Sequence, residues 1–402
     1  VVTGNIVVMP DGDRVYDDAW HFHEPITVCT LLVKGCSIGL GGNVLFHRDH
    51  NELHLSALNL AVGQTQWSLP PGQEVTARYS EDSVVINNLV VQRGSQQLTA
   101  AGTIAIGPMS ANQSNNLNLR LDNVEVQDIN ELLLGDRSLT GVLNASADIR
   151  GTRNDPVVRS DFALTGGSVE GVKFNALTGK AGYSGRAVDL DARLEQSPQA
   201  VLTAVGTVPV PGGPGVSART TVFDLAVKST PIDVALLQPA TTQLARLTGQ
   251  VQADVHIGGT FDSPLLKGLV ETTNAGFSVV ATGLTYANAI ARLMFDGDRL
   301  LVDRFEVSDD NQDRLVAIGE IGIARRSVGR VNVQVSAAQF KVLDNQFGSL
   351  EIEADLRVTG EAAKPQITGL MRTQAGRLEV DQLLEQLTRS PYRTEAMAGP
   401  PG

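Results

Sequence analysis

Five of the six histidines fall within the first 54 residues: His21, His23, His47, His50 and His54, beside Cys29, Cys36, Asp49 and Glu52. Imidazole, thiolate and carboxylate are the ligands zinc-type metals take; His21-x-His23 would put two rings on one face of a strand, and His47 and His50 could meet across a turn. Against this, His54 alternates with Leu53 and Leu55, as a histidine on the wet face of a strand does. The histidines are therefore read as solvated side chains, with no metal ligands and no cofactor expected, and His256 as facing water from the polar side of its own strand. Cys29 and Cys36 share a face only if a turn at Lys34-Gly35 folds the strand back, and two cysteines make no disulfide framework.

Other chemistry is equally sparse. Gly39-Leu-Gly-Gly42 lacks the following Gly-Lys-Ser/Thr and the helix of a phosphate loop, and reads as a turn or bulge. No Gly-x-Ser-x-Gly elbow occurs, and no histidine follows the serines in triad order. Asp309-Asp310 and Asp11/Asp13 sit in turn-like contexts and read as solvated loops. The expectation is a protein that is not an enzyme and has no catalytic residues. With 32 Lys and Arg against 44 Asp and Glu, net charge −12, clustered cations for nucleic acid or for polybasic membrane docking are missing. No stretch reaches the roughly 18 consecutive apolar residues of a membrane span. The chain opens inside a strand-like run, Val1–Val8, and reads as a fragment of a longer one.

The elements that must position any site alternate with period two. In Leu143–Ile149 the residues Leu143, Ala145, Ala147 and Ile149 point one way and Asn144, Ser146 and Asp148 the other. Val251–Ile257 puts Val251, Ala253, Val255 and Ile257 on its apolar face, and Leu350–Val358 does so with Leu350, Ile352, Ala354, Leu356 and Val358. Strands at 117–121, 188–194 and 331–335 behave alike. One-faced alternation is the pattern of half-buried antiparallel strands.

Three markers recur in one order. An apolar run closes on Ala-x-Gly at Gly102, Gly206 and Gly319. A glycine opens the alternating strand in Leu139-Thr-Gly141, Leu247-Thr-Gly249 and Phe347-Gly348. Gly followed five residues on by Pro ends it, at Gly151/Pro156, Gly259/Pro264 and Gly360/Pro365. Constant offsets of this kind mark a repeat. Helix is confined to short breaks, one capped by Asp128 with Glu131 and one by Thr230 with Pro231 at the first helical position. Pro209–Gly215 reads as a surface excursion. The division is an N-terminal partial β unit over 1–84, three repeats over 85–190, 191–300 and 301–377, and a short amphipathic helix with a flexible tail over 378–402.

Only 18 residues are aromatic and 40 are glycine. A sandwich of this size would want more aromatics to fill its core, and repeats that touch only their neighbours favour a quasi-one-dimensional stack. The predicted fold is all-β: an elongated, repetitive antiparallel sheet of about 30 strands, roughly 150 Å long. It is expected to curl into a U-shaped groove with an apolar concave face, a smooth aliphatic lining taking the place of a packed interior.

Trp67-Ser-Leu-Pro-Pro-Gly-Gln-Glu, Val85–Val91, Gly94–Gly102 and Ala375–Leu384, set among these strands, resemble the TamB/AsmA-like family of envelope proteins and bridge-like lipid-transfer proteins. The likeness runs from about Val62 onward. It implies a location in the periplasm of a diderm bacterium, bridging inner and outer membranes. The membrane anchor and the C-terminal region of a full-length member are expected to be absent, so that the inner membrane would be reached through a missing region. An apolar gutter offers a phospholipid acyl chain about 0.8 kcal/mol per buried methylene while the head group stays in water. The expected function is a segment conducting phospholipid in outer-membrane biogenesis, lined by Leu143, Ala145, Ile149, Val251, Val255, Ile257, Ile352, Leu356 and Val358. The alternative is a scaffold for assembling outer-membrane β-barrel proteins with a barrel partner. No nucleic-acid partner is expected.

Overall fold

The computed structural model describes residues 6–8, 14–16, 36–47, 49–62, 65–106, 113–128, 139–169, 171–210, 222–260, 263–324, 327–345 and 348–378. The expectations at His21, His23, Cys29 and Asp11/Asp13, and those on a C-terminal helix beyond residue 378, fall outside these residues. The described chain divides into two compact units, Val1–Ile232 with Gln252–Gly268, and Asp233–Val251 with Leu269–Gly402.

In the first unit the strands are β1 (Ile6–Val8), β2 (Arg14–Tyr16), β3 (Cys36–Phe46), β4 (Asn51–Val62), β5 (Thr65–Ser68), β6 (Val75–Tyr79), β7 (Ser83–Arg93) and β8 (Gln96–Ala105). They continue with β9 (Ser114–Glu125), β10 (Leu139–Thr152), β11 (Pro156–Val169), β12 (Val172–Ser184), β13 (Ala187–Ser197), β14 (Ala200–Pro209) and β15 (Asp224–Ser229). From β7 to β15 each pairs antiparallel with the next. β5 and β6 share one position between β4 and β7, separated by the turn through Pro70-Pro71-Gly72. Next come β16 (Ile232–Asp233), a 3-10 helix (Val234–Ala240), β17 (Leu244–Gly259) and β18 (Pro264–Val279).

In the second unit β19 (Thr285–Gly297), β20 (Arg299–Ser308), β21 (Arg314–Ala324), β22 (Ser327–Asn345), β23 (Gly348–Glu361) and β24 (Lys364–Leu378) form an unbroken antiparallel meander. The described residues hold 24 strands, the longest of them the 19 residues of β22. Helix is nearly absent, as expected, but both caps are corrected. Residues 126–128 are already helical, and the Asp128 carboxylate is taken by Arg93 and by Gln96 Nε2 at 2.8 Å. The 3-10 helix is capped by Asp233, which accepts from Ala235 N at 2.9 Å, while the Thr230 hydroxyl donates to Gln199 O at 2.7 Å. Pro209 ends β14 and is buried.

The repeat markers have a steric cause. Gly102, Gly206 and Gly319 sit at φ +131°, +140° and +146°. A Cβ there would lie 1.9 Å from Asn116 O, 1.9 Å from Asp224 O and 2.2 Å from Asn332 O on the neighbouring strand. No L side chain fits so close to a backbone, so the third position of Ala-x-Gly must be glycine. Gly39–Gly42 is the expected bulge, with a register shift at Gly41/Gly42.

Bulges bend the strands without turning their apolar face away. In β9 the face runs through Leu117, Leu119 and Leu121, then skips to Val124. Asn123 takes up the extra residue at φ +54°. Gln339 does the same in β22, so that Ala337 is followed on its face by Phe340. An extra residue in the left-handed region is the usual way a strand turns a corner.

Candidate functional site

Leu60, Trp67, Val91, Leu98, Leu119, Leu121, Val124, Leu143, Ala145 and Phe162 line one cavity of about 470 Å³ in the first unit. Leu60 is on β4 and Phe162 on β11, with the shared β5/β6 position and β7, β8, β9 and β10 between them. In a flat sheet those six steps would span about 29 Å. A single cavity reaching from one to the other requires the sheet to curl around its apolar face. Trp67, Val91 and Val124 are 4%, 3% and 1% exposed, so the wall is formed by packed side chains. Ser146, Ser160 and Asp161 add polar groups at its margin.

The opposite face carries the charge. Arg120 Nε donates to Asp122 at 2.8 Å and holds that carboxyl below its ordinary pKa. Lys228 Nζ meets Asp254 at 3.1 Å. Asp224 lies 2.7 Å from His256 Nε2, which faces water as expected. In the second unit Arg304 and Arg314 both reach Glu306, and Arg304 lowers its pKa. Such exposed pairs contribute little each, but together they account for the solvated side of the sheet.

The second unit curls too, and its interior is filled. Flat, β19 and β22 would stand about 14 Å apart. Instead the Tyr286 and Phe340 rings stack with centroids 5.2 Å apart, and the Tyr286 hydroxyl donates to Lys341 O at 3.1 Å. Phe277, Phe305 and Leu315 pack on the same cluster. Burial raises the Tyr286 pKa. This differs from the expected smooth aliphatic lining: aromatic rings pack among the aliphatic side chains here. Asp309 is also corrected; it is 4% exposed, and its carboxylate accepts from Asn311 N, Asp313 N and Lys341 N at 3.0, 2.9 and 2.9 Å.

Of the residues expected to line a groove, Leu143 and Ala145 border the cavity. Ile149 lies half-buried on the same face of β10. Val255 and Ile257 are half-buried on β17, and Val251 is buried at 5%. Ile352 belongs to the Phe340 cluster, Leu356 packs against it, and Val358 is half-buried. Trp67, Leu121, Val124 and Phe162 also line the cavity and were not among the residues expected to do so.

At the β3–β4 turn, His47, His50 and Glu52 approach one another, and the Arg78 guanidinium, with His54 and His50, holds the Glu52 carboxyl down at about 2. Among the described residues no helix is long and apolar enough to cross a membrane.

An all-β protein whose repeats curl a one-faced antiparallel sheet around an apolar interior is of the β-groove class. Within that class, residues 46–272 match the family model described as TamB, N-terminal domain, and residues 303–401 match the TamB C-terminal domain. The first match alone covers more than half of the chain, which belongs to the TamB family. It is thus a TamB-family envelope protein of outer-membrane assembly. The second match corrects the expected absence of a C-terminal region. No curated protein and no solved structure matches the chain.

Proposed function

We propose that the curled apolar face conducts phospholipid between the inner and outer membranes, the chain lying in the periplasm. The observation that supports this best is the cavity bounded by Leu60, Trp67, Leu98, Leu121 and Leu143, which is lined mainly by aliphatic side chains. An acyl chain there gains about 0.8 kcal/mol per buried methylene. Nothing in such a lining favours one register over the next, so the chain can slide. Leu143, Ala145 and Ile149 on β10 and Val255 and Ile257 on β17 extend the apolar face within the first unit. Leu143→Asp combined with Val255→Asp should block conduction while leaving strand content unchanged by circular dichroism. A folded double variant that supports outer-membrane integrity as well as wild type would refute the conduit.

A second reading, assembly of outer-membrane barrel proteins, is favoured by β24. Among the described residues β24 pairs with β23 alone, and Ile367, Leu370 and Met371 on it are 62%, 51% and 61% exposed. An open edge strand can pair with a client strand. Crosslinkers on Leu143 that capture lipid favour the conduit; crosslinkers on Ile367 that capture barrel proteins favour assembly.

A further inference from the structure

We propose that the β3–β4 turn is a transition-metal site, with His47, His50 and Glu52 as ligands for a zinc-type divalent cation. The turn is closed by His47 N donating to His50 O at 2.9 Å, which brings the two imidazoles together, stacked with centroids 4.5 Å apart. Glu52, on β4, lies two residues beyond His50, with its Oε1 3.3 Å from His50 Nε2. Ligand atoms of all three lie within 4.8 Å of one another. Donors on one zinc ion stand about 3.3 Å apart, a distance small side-chain rotations supply.

The surroundings of His50 point the same way. Its Nδ1 lies 2.9 Å from Asp49 Oδ1 and its Nε2 3.3 Å from Glu52 Oε1. With Asp49 accepting from Nδ1, Nε2 is left to the metal, the carboxylate–histidine–metal arrangement that orients a ligating ring. Arg78 Nη2, at 2.8 Å from Glu52 Oε1, and His54 Nε2, at 3.4 Å from Oε2, fix the carboxylate. The His50 and Glu52 side chains are 19% and 18% exposed, beside a cavity of about 400 Å³ with Asp49, Glu81 and Asp82 in its wall. The cavity gives a cation a way in, and the acids attract it. Two imidazoles and one carboxylate select zinc, cobalt, nickel or copper over calcium and magnesium. On a turn joining two strands, the ion acts as a clip.

The test is titration of Zn²⁺ and Co²⁺ into the full 402-residue chain after chelator treatment. The expected result is saturable one-to-one binding, a rise in melting temperature, and a visible cobalt absorption band. His47→Ala with His50→Ala should abolish all three, and Asp49→Asn should weaken binding about tenfold or more. Asp49 is 85% exposed, so its variant keeps the test valid if the double variant fails to fold. His256→Ala, remote on β17, should bind as wild type. Absence of saturable binding, or undiminished binding in the folded double variant, overturns the site.

Discussion

The two units are built from the same kind of strand, and their interiors differ. In the first, the curled sheet meets Leu60, Leu98, Leu121 and Leu143 across open space of about 470 Å³. In the second, Tyr286 reaches across to Phe340, and Phe277 and Phe305 pack alongside. Curvature therefore does not decide whether the sheet holds a channel or a core. In the first unit Trp67 and Phe162 lie in the wall of the open space; in the second, ring meets ring and the gap closes. What distinguishes the second unit is the stacking of Tyr286 on Phe340, with Phe277 and Phe305 beside them.

That contrast breaks first at Phe340. Phe340→Ala removes half of the stack from a site 2% exposed and should cost about 3–5 kcal/mol, measured by urea denaturation. A loss near zero would mean that the second unit is not held by its aromatic core. The glycines come next, and they test a feature the units share. Gly206→Ala would force a Cβ to within 1.9 Å of Asp224 O and should cost about 2–3 kcal/mol. Gly94→Ala, at φ +59° in open space, should cost about 1 kcal/mol. Equal losses would dismiss the close approach as the reason for Ala-x-Gly. Leu121→Ala already borders open space and should cost about 1–2 kcal/mol, less than Phe340→Ala.

The smallest effect is electrostatic. Lys341 Nζ, 2.8 Å from Asp310, holds that carboxyl below its ordinary pKa. A carboxyl whose folded pKa is depressed adds stability that is fully present above the ordinary carboxylate range and is lost as pH falls through the folded value. The gap in urea midpoint between wild type and Asp310→Asn should therefore be positive at pH 7 and shrink on acidification. Asp310 is 59% exposed, so the gap corresponds to about 1 kcal/mol or less. A gap that widens toward acid would contradict the pairing.

The strands, their apolar faces and the order of the repeats were legible in the sequence, because period-two alternation states directly which side of a strand is dry. Ala-x-Gly was legible as a marker but not as a cause, since the neighbouring carbonyl that excludes a Cβ comes from another strand. The bulges at Asn123 and Gln339 hide as breaks in alternation, and only the register shows that they preserve the face. Asp128 and Thr230 look like caps locally, yet partners distant in sequence, Arg93 for one and Gln199 for the other, claim their side chains. Tyr286 and Phe340 are 54 positions apart, and no local pattern joins them; the curl does. The cavity was missed residue by residue for the same reason: it exists only where seven consecutive positions in the sheet close on themselves.

The central claim is that the inward face of the first unit carries lipid, and it is tested most directly by a photo-crosslinking amino acid placed at Leu121 and, separately, at Arg120. These neighbours on β9 point to opposite sides of one sheet. Irradiation in cells should give phospholipid adducts at position 121 and few at 120. Equal labelling at both positions, or none at 121 in a protein that remains folded and active, would contradict a lipid-conducting groove.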